Sequence, residues 1–85
     1  MQPLPPGRLV EAPQMRVRDL IAAQAAYDRQ LHPELRRGQS IYNAAYKLMP
    51  DFVNSLDGTD LDPYYVDGRI ESFLEACDAA KQPEG

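Results

Sequence analysis

The sequence predicts an all-α fold. Three observations carry that expectation. Apolar residues recur at helical spacing in three segments, and no segment alternates apolar and polar residues over a strand length. Prolines stand where such helices would begin and end. A length of 85 residues allows one small domain. The expected architecture is a small bundle of three main helices plus one or two short helical turns, behind an extended Pro-rich N-terminal tail.

Residues 1–14 form the expected tail, because four of the eight prolines lie there, at Pro3, Pro5, Pro6 and Pro13. Proline fixes φ and lacks an N–H, so this stretch suits polyproline II better than helix or sheet. It is read as an unstructured tail or as a segment that docks on a partner or a second copy. It lacks the basic start and apolar centre of a secretion signal. Residues 15–81 are the single helical domain, and residues 82–85 a frayed C-terminus.

The first helix is expected from Met15 to Leu31 or His32. Val17, Leu20, Ile21, Tyr27 and Leu31 share one face, and alanines between them favour helix. Pro33 ends it and opens the second helix, with Glu34 near the positive end of the helix dipole. Leu35, Gly38, Tyr42, Ala45, Tyr46 and Met49 make one stripe, with Ile41 and Leu48 beside it. Two apolar faces place this helix centrally. Pro50 stops or kinks it, and Pro50 to Leu56 forms a short helix closed by Asp57-Gly58. The stretch from Thr59 to Gly68 is too rich in turn formers for regular structure. Within it, Asp62 before Pro63 suits the N-cap of one helical turn. The last helix runs from about Arg69 to Ala80, with Ile70, Phe73, Leu74 and Cys77 facing inward. The core should gather Leu20, Ile21, Tyr42, Ala45, Phe52, Leu56, Phe73 and Leu74 in one cluster.

Composition narrows the function classes. One cysteine excludes an internal disulfide, and one cysteine with one histidine is too few for a structural zinc site. The single thiol and missing secretion signal point to the cytoplasm. No apolar run is long enough to span a membrane. The sequence pI is about 4.7, which argues against direct nucleic-acid binding, although Arg16, Arg18, Arg36 and Arg37 offer a small basic patch. Residues 1–50 hold 7 basic and 4 acidic groups, whereas residues 51–85 hold 2 and 9. The acidic half could meet a basic protein surface.

No catalytic constellation is legible, so the chain is read as a non-enzyme without cofactor. His32, with only Asp28 nearby in sequence, suits a helix break better than general-base work. Cys77 lies on an apolar stripe and reads as a buried structural thiol. There is no Gly-rich phosphate loop and no nucleophile elbow. Asp57, Asp60, Asp62 and Asp67, followed by Glu71, imitate part of a calcium loop, but Tyr64 and Tyr65 fall where a ligand and the turn glycine belong. No metal is expected.

These residues suit a clasp instead. Glycine inside a helix costs about 1 kcal/mol against alanine, so Gly38 suggests close approach of another chain segment, which Tyr64 or Tyr65 would supply. Arg37, Gln39 and Asn43 would then bond the loop backbone and hold Asp60 or Asp62. With Asp67 and Arg69, these residues form the candidate interaction or clasp site.

The residues Leu35-Arg36-Arg37-Gly38-Gln39, Asn43, Pro50-Asp51, Gly58-Thr59-Asp60-Leu61-Asp62-Pro63-Tyr64-Tyr65 and Arg69-Ile70 resemble a pattern in small uncharacterised proteins of bacteriophages and prophage-carrying bacteria. The resemblance spans about residues 33–75. It implies a viral or mobile-element accessory protein and carries over no catalytic residue. The expected function is binding a host protein, with modulation or inhibition as the outcome, in the host cytoplasm. The alternative is a virion or homo-oligomer subunit whose tail links copies.

Overall fold

The computed structural model describes residues 16–80, so the expected tail (1–14) and frayed end (82–85) lie outside the described residues. Among the described residues, four α-helices and one 3₁₀ turn give an all-α fold: α1 (Val17–Leu31), α2 (Arg37–Leu48), α3 (Pro50–Leu56), the 3₁₀ turn (Asp67–Arg69) and α4 (Ile70–Ala80). No strand occurs among the described residues. The central position expected for the second helix is the one found, since α2 touches α1, α3, the 3₁₀ turn and α4.

Proline governs the junctions, with one correction. Pro50 occupies the first position of α3, and Met49 both ends α2 and precedes α3. The Met49 N–H donates to Ala45 O, and its carbonyl accepts from the Val53 N–H. Two helices thus meet with no linker between them. Pro33, by contrast, does not open α2. Residues 33–35 turn, with the Leu35 N–H donating to His32 O, and α2 starts only at Arg37 after an extended Arg36. The reason is local: the turn satisfies backbone groups that a helix would otherwise use. Past α3, Gly58 takes φ of +78°, the left-handed conformation that favours glycine after a helix.

The core is Ile21 and Ala25 of α1, Ile41, Ala44 and Ala45 of α2, Met49, Val53 of α3, and Ile70, Phe73, Leu74 and Cys77 of α4. Tyr42, Phe52 and Leu56 lie against it, partly buried. Leu20 departs from expectation. It is 40% exposed, with Tyr27 at 57% and Leu31 at 58%, so three of the five residues in the stripe read along α1 face solvent. Ile21 and Ala25, rotated from those three by about a third of a turn, meet α2 and α4 instead. A bundle this small covers only one narrow side of its longest helix.

Both main N-termini use the same device. Arginine, which has no acceptor, stands at the N-cap of α1 (Arg16) and of α2 (Arg36), and a distant aspartate supplies the acceptor. At α1 the Arg18 N–H donates to Asp78 Oδ1 of α4 at 3.4 Å. At α2 the Gly38 N–H donates to Asp67 Oδ1 of the 3₁₀ turn at 2.9 Å. Each pairing satisfies a first-turn N–H that has no partner within its own helix.

Candidate functional site

The loop between α3 and the 3₁₀ turn is organised from within by Asp62, a nearly buried carboxylate. Asp62 Oδ2 accepts from the Gly58 N–H at 2.8 Å and Oδ1 from the Tyr64 N–H at 2.9 Å. The second bond closes an Asx turn. The expected helical turn after Pro63 does not form there. The Val66 N–H donates back to Pro63 O, and the helical turn comes four residues on, at Asp67–Arg69. Arg69 then reaches back to the carbonyls of Thr59 and Asp62 at 3.3 and 3.4 Å.

This loop lies on the start of α2. Gly38 is buried, and a Cβ there would overlap the Pro63 carbonyl oxygen and come within 2.9 Å of Asp67 Oδ1. The close neighbour is therefore the Pro63 backbone and not Tyr64 or Tyr65. Arg36 donates to Tyr64 O at 2.8 Å, and Gln39 Nε2 donates to the Tyr64 hydroxyl at 3.1 Å. The Arg36 N–H also reaches Gln39 Oε1 at 3.4 Å.

The polar partners differ in part from those the sequence suggested. Arg36, not Arg37, bonds the loop backbone; Arg37 is exposed beside Ala22, Ala26 and Arg29 of α1. Asp67, not Asp60 or Asp62, is the acceptor held by α2. Asp60 is exposed and Asn43 lines a separate groove beside α1. The physical cause is the later start of α2, which leaves Arg36 in the extended N-cap position beside the loop and makes Arg37 the first helical residue. Sequence reasoning missed Arg36 and Pro63. The one signal for Arg36 was Gln39 three positions on, the second half of a capping box.

An aromatic chain runs from the core to the loop surface. Buried Phe73 stacks with Tyr42 at 6.2 Å between centroids, and Tyr42 meets Tyr64 edge-on at 5.4 Å. Tyr64 meets Tyr65 at 4.7 Å, and the Arg36 guanidinium stands 5.2 Å from the Tyr65 ring centroid. Tyr65 is 79% exposed, yet two neighbours hold its ring. Burial, followed by the nearby Asp57 carboxylate, pushes the Tyr42 phenol up from its usual value, so it stays neutral and donates to Asp57 Oδ1 at 3.3 Å.

Elsewhere several titratable groups are engaged structurally. His32 is exposed and its Nδ1 lies 3.6 Å from Glu34. Asp28, its sequence neighbour, is held by Gln24 at 2.9 Å and Lys47 at 3.2 Å. Burial pushes the Cys77 thiol up to about 11, with Asp78 adding to the effect, which leaves the sulfur protonated and shielded near neutral pH. Arg16 bonds Asp78 Oδ2 through Nε at 3.0 Å and Nη2 at 2.7 Å. Arg18 clamps both Glu71 oxygens at 2.6 and 2.8 Å. Both of these arginines are thus paired with carboxylates of α4, whereas Arg36 bonds the loop. Among the described residues, no three His, Cys, Asp or Glu side chains converge where they could hold a metal ion. No described helix is long and apolar enough to cross a membrane.

No family model, curated protein or solved structure matches the chain.

Proposed function

We propose that this is a small non-enzymatic protein-binding module, a phage or mobile-element accessory protein that acts on a host protein in the host cytoplasm. The observation that supports this reading most is the exposed Tyr65 ring, set between Tyr64 and the Arg36 guanidinium on a buttressed loop. Tyrosine and arginine dominate binding hot spots, because a wide ring with few rotatable bonds loses little entropy on association. Asp62, Asp67 and Arg69 fix this loop before a partner arrives, which lowers the cost of ordering it. Exposed Asp57 and Asp60 beside it give the surface negative charge and suit a partner with basic groups.

The test is affinity capture from host lysate with the wild-type chain, Tyr65→Ser and Lys47→Ala. A stoichiometric host protein should be captured by the wild type and by Lys47→Ala and lost with Tyr65→Ser, at unchanged melting temperature. Raising salt should weaken capture, since charge complementarity contributes. Equal capture by all three chains would refute this surface as the binding site.

A further inference from the structure

A second surface lies apart from the clasp. Leu31, Leu35 and Tyr46 form the apolar walls of an open groove of about 670 Å³, between the C-terminal end of α1 and α2. Asn43, Glu34 and Lys47 add polar groups to its lining. Stacking on Tyr42 at 6.4 Å sets the Tyr46 ring, which stays 42% exposed. We propose that this groove binds the chain's own segment Pro3–Arg8 within the same molecule.

Four features of the molecule support that occupant. The first is composition: Pro3-Leu4-Pro5-Pro6-Gly7-Arg8 is suited to polyproline II. With three residues per turn, Pro3 and Pro6 share one edge, the edge that aromatic-lined grooves accept. Prolines donate no hydrogen bond, so such a segment offers carbonyls, and the Asn43 amide can donate to one. The second is reach. Asp78 holds Arg16 at the start of α1, and a seven-residue leash, 9–15, is long enough to span about 22 Å at about 3.1 Å per residue. The axis of α1 from Val17 to Leu31 is about 21 Å long. The leash thus matches the distance to be covered. The third is the path. Leu20, Tyr27 and Leu31 form an exposed apolar ridge along α1 that ends in the groove, and the leash begins with Leu9 and Val10. The fourth is charge. Asp28 is occupied by Lys47, whereas Glu34 stands exposed at the groove with only the exposed His32 imidazole 3.6 Å away, so its carboxylate can also accept from Arg8. A tether of this length keeps the segment at millimolar effective concentration, which favours the same molecule over a second copy.

Trypsin cleavage after Arg8, followed by mass, reads the occupancy in the full chain. Tyr46→Ser should speed that cleavage at least tenfold without moving the melting temperature, because the ring is partly exposed. Tyr65→Ser, on the other surface, should leave the rate unchanged. Equal cleavage in the wild type and Tyr46→Ser overturns the proposal. Mass-resolved chromatography gives an independent readout: a monomer at every concentration is expected. A dimer that Tyr46→Ser dissolves would show that a second copy's segment fills the groove, which overturns docking within the same molecule.

Discussion

The starts of α1 and α2 solve one problem with the same two residue types, yet they differ in what holds them. Each has an arginine at the N-cap and borrows an aspartate from far along the chain. At α1 the borrowed Asp78 is itself gripped by the capping arginine, through two bonds from the Arg16 guanidinium. At α2, Arg36 turns away from Asp67 to the Tyr64 carbonyl and the tyrosine rings, and contact between Gly38 and Pro63 keeps Asp67 in place. One start therefore depends on charge and the other on shape. The difference makes α1's attachment sensitive to pH and salt, and α2's sensitive to added volume.

The largest expected effect breaks both starts together. Phe73 is fully buried in α4, the helix that carries Asp78 and supports Tyr42. Phe73→Ala should cost about 3–5 kcal/mol in denaturant unfolding, close to the whole stability of a domain this size. Gly38→Leu should break only the start that depends on shape, costing about 1–3 kcal/mol by overpacking. Helix propensity acts in the opposite direction by up to about 1 kcal/mol, so a stabilised variant would show that Pro63 does not press on α2. Asp67→Ala removes the borrowed cap without adding volume and should cost about 0.5–2 kcal/mol. Asp67→Asn should lose less, because asparagine caps nearly as well.

The charge-dependent start is tested with acid. The bonds from the Arg16 guanidinium, aided by the Arg18 N–H and opposed in part by burial, hold the Asp78 carboxyl below its ordinary range. A carboxylate with a depressed folded value contributes its full stability above the ordinary aspartate value of about 3.9, and that contribution disappears as pH falls through the depressed value. Melting temperature should therefore drop in acid below about pH 4, and Asp78→Asn should flatten that limb. An unchanged acid limb in Asp78→Asn would remove the charge-dependent half of the comparison. The smallest effect is expected for Asp60→Asn. Its side chain is exposed, and its unfolding free energy should stay within about 0.5 kcal/mol of the wild type.

The helices were legible because their signals are local. Apolar spacing marked α2 and α4, and Pro50 marked the junction between α2 and α3. The start of α2 was not, because Pro33 fits a turn as well as a first helical position. That four-residue difference also moved the clasp from Arg37 to Arg36, since it leaves Arg36 at the extended N-cap, facing the loop, and makes Arg37 the first helical residue. Gly38 was legible as a site of close approach from its cost in a helix. Which of the acidic loop's carboxylates reaches α2 was not, because Asp60, Asp62 and Asp67 differ only in how the loop turns, and that turning follows from bonds at Gly58 and Tyr64. Solvent exposure at Leu20, Tyr27 and Leu31 of α1's stripe was equally hidden, since spacing reports a face but not whether a neighbour exists to cover it.

Cys77 gives the molecule a built-in clock. It is the chain's sole sulfhydryl, it sits within α4 with no exposed surface, and burial holds its proton to about pH 11. A thiol reagent at neutral pH cannot reach it in the closed bundle, so alkylation waits for α4 to detach. When reclosing outpaces the reagent, the rate of labelling reports the equilibrium fraction open. At saturating reagent it reports the opening rate itself. One natural atom thus times the separation of α4 from the bundle, without any label being engineered into the chain.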